Sequence, residues 1–242
     1  NVRQLLFAPL ARLYPKMGWA PRVLRAKSTL EGLSASAAKA YFNSVAKIPD
    51  RDRLPLLGAD LKKALQGYRT SQLFEDLYED VRDKHPLTQI QYIDLHTYLP
   101  GDILTKVDRT SMANALEVRV PFLDHRMVEY AFSIDPRAHV VRGRGKAVMY
   151  GALAGILPPE ILERRKQGFT VPMQDWLKTA FTTDLDALIA KSPLFDMGLI
   201  DRPELEKKVA AHRAGRNNYE TLLWSVLVLD RSVKRLNVSG MH

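Results

Sequence analysis

From Ser34 onward, apolar residues recur at the three-to-four spacing of helices with one buried face. The stretch SASAAKAYFNSVAKI opens on a serine suited to cap a helix. LPLLGADLKKALQGY follows as a second helix, with Gly67 as its stop. SQLFEDLYEDV places Leu73, Phe74, Leu77 and Val81 on one stripe. After Pro86, LTQIQYIDLHTYLP reads as a helix ending before Pro100. Asp102 is the expected cap of the next helix, which runs to about Ala115. LEVRVPF alternates apolar and charged residues, the signature of extended chain. Asp124 restarts a helix with Met127, Val128, Ala131, Phe132 and Ile134 as its stripe, and Pro136 ends it.

Further on, HVVRGRGKAV predicts a short extended piece, a glycine turn and a helix from about Lys146. RRKQGFTVP reads as a loop. The last helix spans about Tyr219 to Leu236. Leu222, Leu223, Val226, Leu227 and Val228 nearly encircle it, which predicts burial. No alternation of strands and helices is present, so a doubly wound sheet is not expected within this chain. The predicted organisation is a basic, extended lead-in over 1–33, broken by three prolines, and a helical body over 34–242.

Composition narrows the chemistry. At 242 residues and 46% hydrophobic, the chain can bury a sizeable core. It holds 36 Lys and Arg against 27 Asp and Glu, a net charge of +9 that suits an anionic partner. The basic charge is neither gathered in a tail nor interleaved with aromatics, so nucleic acid is not the expected partner. No apolar run approaches the roughly 20 residues of a membrane helix. The absence of cysteine excludes disulfides, thiolate catalysis and cysteine-bound zinc. The six histidines show no metal-ligand spacing, and no metal site is expected.

Charge, glycine and proline mix beyond what helix patterning explains in several places. Glu117 and Arg119 are two apart in an extended run and share a face. With Asp108 and Arg109 they read either as a buried or half-buried ion-pair network or as the charged wall of a ligand cleft. Arg142, Arg144 and Lys146 flank Gly143 and Gly145. This is either a phosphate contact, where glycine lets backbone approach a ligand, or a solvated basic turn. Arg164, Arg165 and Lys166 precede Gly168. A lysine on such a bend can meet phosphate oxygens, and the alternative is a basic helix end offsetting the dipole. Trp224 reads as core.

In order, LPGDILTKVDRTSMANALEVRVPFLDHRMVEYA, KAVMYGALAGILPPEILERRKQGFTVPMQDWL and NNYETLLWSVLVLDR resemble the C-terminal part of the glutamine-dependent asparagine synthetase family. The resemblance is strong over about 92–235. It implies a mainly α chain, the helical C-terminal half of an adenine-nucleotide α-hydrolase-like (PP-loop ATPase) synthetase domain lacking most of the parallel sheet. It also implies a parent ligase that adenylates the aspartate side chain with ATP and Mg²⁺. Ammonia, drawn from glutamine, then displaces AMP to give asparagine.

The family's cysteine and its Ser-Gly-Gly-x-Asp-Ser loop are missing here. The chain opens on Asn1, and the expectation is a piece of a longer protein, inactive alone, whose partner is the missing N-terminal half. By the same resemblance Lys166 is the expected catalytic cation, with Lys146 and Arg165 at the phosphates. Tyr150 stands where the family often carries arginine. Lys106, Asp108, Arg109, Glu117 and Arg119 would line the substrate cleft. A cytoplasmic location is expected and a homodimer is left open. The competing readings are a related ligase for another acid (β-lactam-forming or polysaccharide-modifying) and a helical interaction module without chemistry.

Overall fold

Ser36, two residues after the Ser34 on which the predicted stretch opens, caps a helix: its hydroxyl accepts the Lys39 N–H at 3.3 Å, satisfying one of the donors a helix leaves open, and Ala37–Val45 follows. The structure, a computed structural model, describes Pro9, residues 36–164 and residues 171–236. The predicted lead-in over 1–33 lies outside these residues apart from Pro9, as does most of the RRKQGF segment. The described part is mainly helical. It falls into two compact units, one built from 36–73 with 171–236 and the other from 74–164.

The first unit holds the main core. Leu177, Leu185, Leu188, Leu194, Leu205 and Leu223 are all 1% exposed or less. They come from helices Met173–Lys178, Thr182–Ala190, Pro193–Asp196, Arg202–Arg213 and Glu220–Leu236. Leu56 joins them from helix Asp50–Leu56. The predicted 54–68 helix is in fact two, Asp50–Leu56 and Ala59–Leu65, separated at Leu57 and Gly58. Here the chain makes an antiparallel bridge, Leu57 to Ile200. The Gly58 N–H donates to the Leu199 carbonyl and the Asp201 N–H to the Leu56 carbonyl, both at 2.8 Å. A side chain at Gly58 would strike the Gly198 carbonyl, so only glycine lets the two backbones approach.

The last helix is buried on one face only. Leu222, Leu223, Val226, Leu227, Asp230 and Val233 point inward, while Val228 and Leu229 remain over 40% exposed. The 3.6-residue period carries these two to the far side. Trp224 is packed against the core beside Phe181, ring centroids 5.5 Å apart.

Most buried polar groups in this unit are paired, as burial requires, while Arg53 Nε and His212 Nε2 are buried without a hydrogen-bond partner among the described residues. Asp230 accepts from the Ser192 hydroxyl at 2.6 Å and from Lys234 at 2.8 Å. Lys208, only 4% exposed, sets its ammonium 3.2 Å from Glu204, 4.0 Å from Asp52 and 4.8 Å from the centre of the Tyr219 ring. Burial works against the Glu204 charge, but the hydrogen bonds and charges of Lys208 and Lys207 together outweigh it and hold that carboxyl below its ordinary value. His212 is fully buried. Its Nδ1 accepts the Tyr219 N–H at 3.1 Å, and burial keeps the ring neutral by lowering its pKa.

The second unit has little core of its own. Phe74, Val81 and Ile93 are its buried apolar residues among those described, and Gln89 satisfies the Val81 and Arg82 carbonyls. Two sequence expectations, the cap at Asp102 and the role of Pro136, are corrected here. The helix Pro86–His96 does end before Pro100, which itself sits within a π-helical turn, Leu99–Leu104. The wider turn accommodates a ring that carries no N–H to donate. Asp102 lies inside that turn and caps nothing. Helix Thr105–Met112 runs straight on from it. Pro136 starts rather than ends a helix, Pro136–His139, with Asp135 as its cap. Proline is at home at a first helical position, where no donor is needed.

The expected stripe of helix His125–Ser133 is not buried either: Met127 is 43% and Phe132 38% exposed. Asp124 does cap this helix, accepting the Arg126 N–H at 3.0 Å.

Candidate functional site

The residues singled out in the sequence lie almost wholly in the second unit. The run 116–120 is not helical, as expected from its alternation, and pairs in no strand among the described residues. Glu117 and Arg119 do share a face and pair, Oε1 to Nη2 at 2.6 Å. Their side chains are 70% and 87% exposed, which overturns the buried or half-buried network. The pair sits in water, where such contacts are worth about 0–1 kcal/mol. The alternation fixed the face; it could not say whether anything covers it.

Asp108 and Arg109 are exposed on helix Thr105–Met112 and join no ion pair among the described residues. Lys106 reaches back one turn to Asp102 at 3.6 Å, also in solvent. The five residues expected to line a cleft therefore stand on an open surface of this unit. Met112, Leu116 and Phe122, each more than half exposed, lie beside them.

The glycine turn is more definite. Val140–Val141 and Arg144–Gly145 form a two-stranded antiparallel hairpin, Val140 opposite Gly145 and Val141 opposite Arg144. Its two turn residues, Arg142 and Gly143, have φ of 50° and 76°, the pattern of a type I′ turn matched to strand twist. The next residue but two, Lys146, is held at φ 60° as the first flanking residue of helix Ala147–Leu153. Its side chain caps nothing and is exposed, so its ammonium is available to an anion. Arg165 and Lys166 lie outside the described residues.

One feature went unassigned in the sequence. The Arg144 guanidinium lies 4.0 Å over the Tyr150 ring, and its Nη2 donates to the Leu162 carbonyl at 2.8 Å. Stacking and hydrogen bond together fix the plane of the group. Arg144 and Tyr150 stand at one side of a cleft of 540 Å³ whose other walls are Ala154 to Pro159, Leu162 and Glu163. Arginine and tyrosine six residues apart carry no pattern that announces such a contact. It arises because a hairpin and a short helix fold back on each other.

Among the described residues, no three histidine or acidic side chains come together to hold a metal ion. Nor is any helix among them long and apolar enough to cross a membrane.

Comparison with known proteins fits the quoted motifs. The asparagine synthase family model matches residues 5–237. A putative glutamine-hydrolysing asparagine synthetase of Mycobacterium bovis is 31% identical over 213 residues, covering 86% of this chain and 31% of the relative. Asparagine synthetase 1 of Bacillus subtilis is 30% identical over 171 residues, 69% of this chain and 27% of the relative. A more distant match, 26% identical over 124 residues, is a Gibberella zeae protein named amidase chry2, with 48% of this chain and 18% of that protein covered. The chain thus spans about 30% of the length of these two asparagine synthetases. No solved structure matches it. On the extent of the family match and the order of its motifs, this chain belongs to the asparagine synthase family.

Proposed function

We propose that this chain is the distal, helical part of an ATP-dependent amide ligase. In this reading a carboxylate, that of the aspartate side chain, attacks the α-phosphate of ATP and releases pyrophosphate. Ammonia derived from glutamine then attacks the acyl-adenylate carbon and AMP departs. The observation that carries the proposal is the family match over 5–237, together with relatives named as glutamine-hydrolysing asparagine synthetases.

Each cation has a chemical task in this scheme. Charge builds on the departing pyrophosphate in the first step. A cation placed there stabilises the transition state more than the ground state and so accelerates the reaction. Lys166 is assigned that role, with Lys146 and Arg165 beside it on the polyphosphate. The exposed, unengaged ammonium of Lys146 supports its part. Mg²⁺ and the adenine ring would be held by the nucleotide-binding part of a PP-loop ATPase fold beyond this chain, so the chain alone is expected to be inactive.

The test is acid-dependent ATP–pyrophosphate exchange by the longer protein. Lys166→Ala should lower exchange by about 100-fold or more, the usual loss when one such contact is removed, with an unchanged circular dichroism spectrum. Near-normal exchange in that variant would remove Lys166 from the mechanism. A second reading, a ligase for an acid other than aspartate, is favoured by one observation: the largely apolar lining of the cleft beside Arg144.

A further inference from the structure

We infer that the Arg144 cleft recognises an acid bulkier and more apolar than aspartate, pairing its carboxylate with the guanidinium and laying its carbon body on the apolar wall. As a statement about substrate, this rests on the second reading above, a ligase for an acid other than aspartate, and takes the place of the aspartate assignment; as a statement about binding, it stands on the cleft alone.

Three observations support it. First, the cation is prepared. Tyr150 on one face and the Leu162 carbonyl at one N–H fix the guanidinium, and its remaining N–H groups have no partner among the described residues. A planar fork held in place and left unpaired suits a two-oxygen anion. Second, much of the wall is apolar and bare, with Glu163 its one acidic residue. Ile156 is 72% exposed and Leu157 37%, followed by Pro158 and Pro159, whose rings carry no N–H to tie to water. Third, the size fits. At 540 Å³ the cleft is within the range of small-molecule pockets and roomy for a four-carbon dicarboxylate. The chain then runs from Glu163, on the cleft wall, into Arg165 and Lys166 within three residues. An acid seated here would therefore sit close along the chain to the cations assigned to the phosphates.

Inorganic phosphates share the oxyanion chemistry, so the experiment separates the two sources. The 242-residue chain is titrated with 4-phenylbutyrate, aspartate and inorganic pyrophosphate while backbone amide resonances are followed by NMR. Phenylbutyrate is expected to shift amides of residues 144–163 and saturate in the millimolar range, with aspartate at least ten-fold weaker. Arg144→Leu should weaken phenylbutyrate at least ten-fold, and Thr110→Ala, on helix Thr105–Met112 and outside the cleft lining, should leave it unchanged. Ile156→Asp, at a position too exposed to disturb folding, should also weaken it ten-fold by setting a carboxylate against the ligand. Tighter binding of pyrophosphate than of phenylbutyrate at these amides would make this a phosphate site and overturn the inference. Equal binding of aspartate, or no shift with any probe, would overturn it too. Acid-dependent exchange by the longer protein keeps the two ideas apart. Exchange without phenylbutyrate binding retires the cleft and spares the ligase, whereas binding without exchange does the reverse.

Discussion

Replacing Gly58 with alanine should destabilise the first unit by about 2–4 kcal/mol. The backbone there, φ −69° and ψ 170°, is open to any residue, so no dihedral penalty arises. Alanine even stiffens the unfolded chain, which favours the variant by about 0.4–1 kcal/mol. Against this stands a collision. The new Cβ would overlap the Gly198 carbonyl oxygen, with the carbonyl carbon at 2.5 Å and the Ile200 nitrogen at 3.0 Å. Backbone atoms cannot rotate aside as a flexible side chain would. Forcing an extra carbon into a filled space costs about 1–3 kcal/mol. Separating the strands instead gives up the hydrogen bonds Gly58 to Leu199 and Asp201 to Leu56, each worth about 1 kcal/mol net. The assay is urea unfolding followed by tryptophan fluorescence, with Trp176 and Trp224 reporting on the affected unit. The midpoint should fall while the dependence on urea stays the same. Gly151→Ala is a contrast in the second unit, followed by far-ultraviolet circular dichroism because Trp176 and Trp224 lie in the other unit. Nothing lies within 4 Å of its new Cβ in helix Ala147–Leu153, so it should stabilise by up to about 1 kcal/mol. A Gly58→Ala protein as stable as the parent would show that the bridge to Ile200 does not form as described.

Other expectations follow from buried groups and from the proposed chemistry. Burial depresses the pKa of His212, so folding of the first unit should be favoured above the ordinary histidine value near 6.5 and weaken as pH falls below it. Melting temperatures measured between pH 8 and 5 should show this slope, and His212→Gln should flatten it; an equal slope in the variant refutes the assignment. Asp230→Ala leaves the Ser192 hydroxyl buried without its acceptor and should cost about 1–3 kcal/mol in urea unfolding, with a loss below about 0.5 counting against the network. Calorimetry on the 242-residue chain should find ATP binding weaker than about millimolar, and micromolar affinity would place the nucleotide site within this chain.

Much of the helical frame was legible because helices write their faces and caps locally. Ser36 and Asp124 cap as their types suggest, and the 222–233 stripe points inward. What escaped were features decided by other parts of the chain. Leu57 and Gly58 look helical until Ile200 offers a bridge. Lys208 reads as a solvent lysine on a charged helix, and is buried only because Asp52 and Tyr219 converge on it. The charged residues around 106–119 were legible as a face but not as a surface. Periodicity tells which side chains point together, and it is silent on what stands opposite. Arg144 was noticed for its glycines, while its partner ring and carbonyl, six and eighteen residues away, depend on how the hairpin folds back.

The first unit has a consequence for how the protein is made. Its two contributing segments are separated by roughly a hundred residues of chain. Joining such distant ends carries an entropic toll of about 4 kcal/mol before any contact repays it. On the ribosome, residues 36–73 emerge about 5–20 s before their partners begin to appear, at ordinary rates of elongation. During that interval Leu56 lacks the core it joins in the folded unit. The leucines of the later segment can gather among themselves as they emerge, so the newest part of the chain would recruit the oldest, and a ribosome stalled midway would leave apolar side chains open to chaperones.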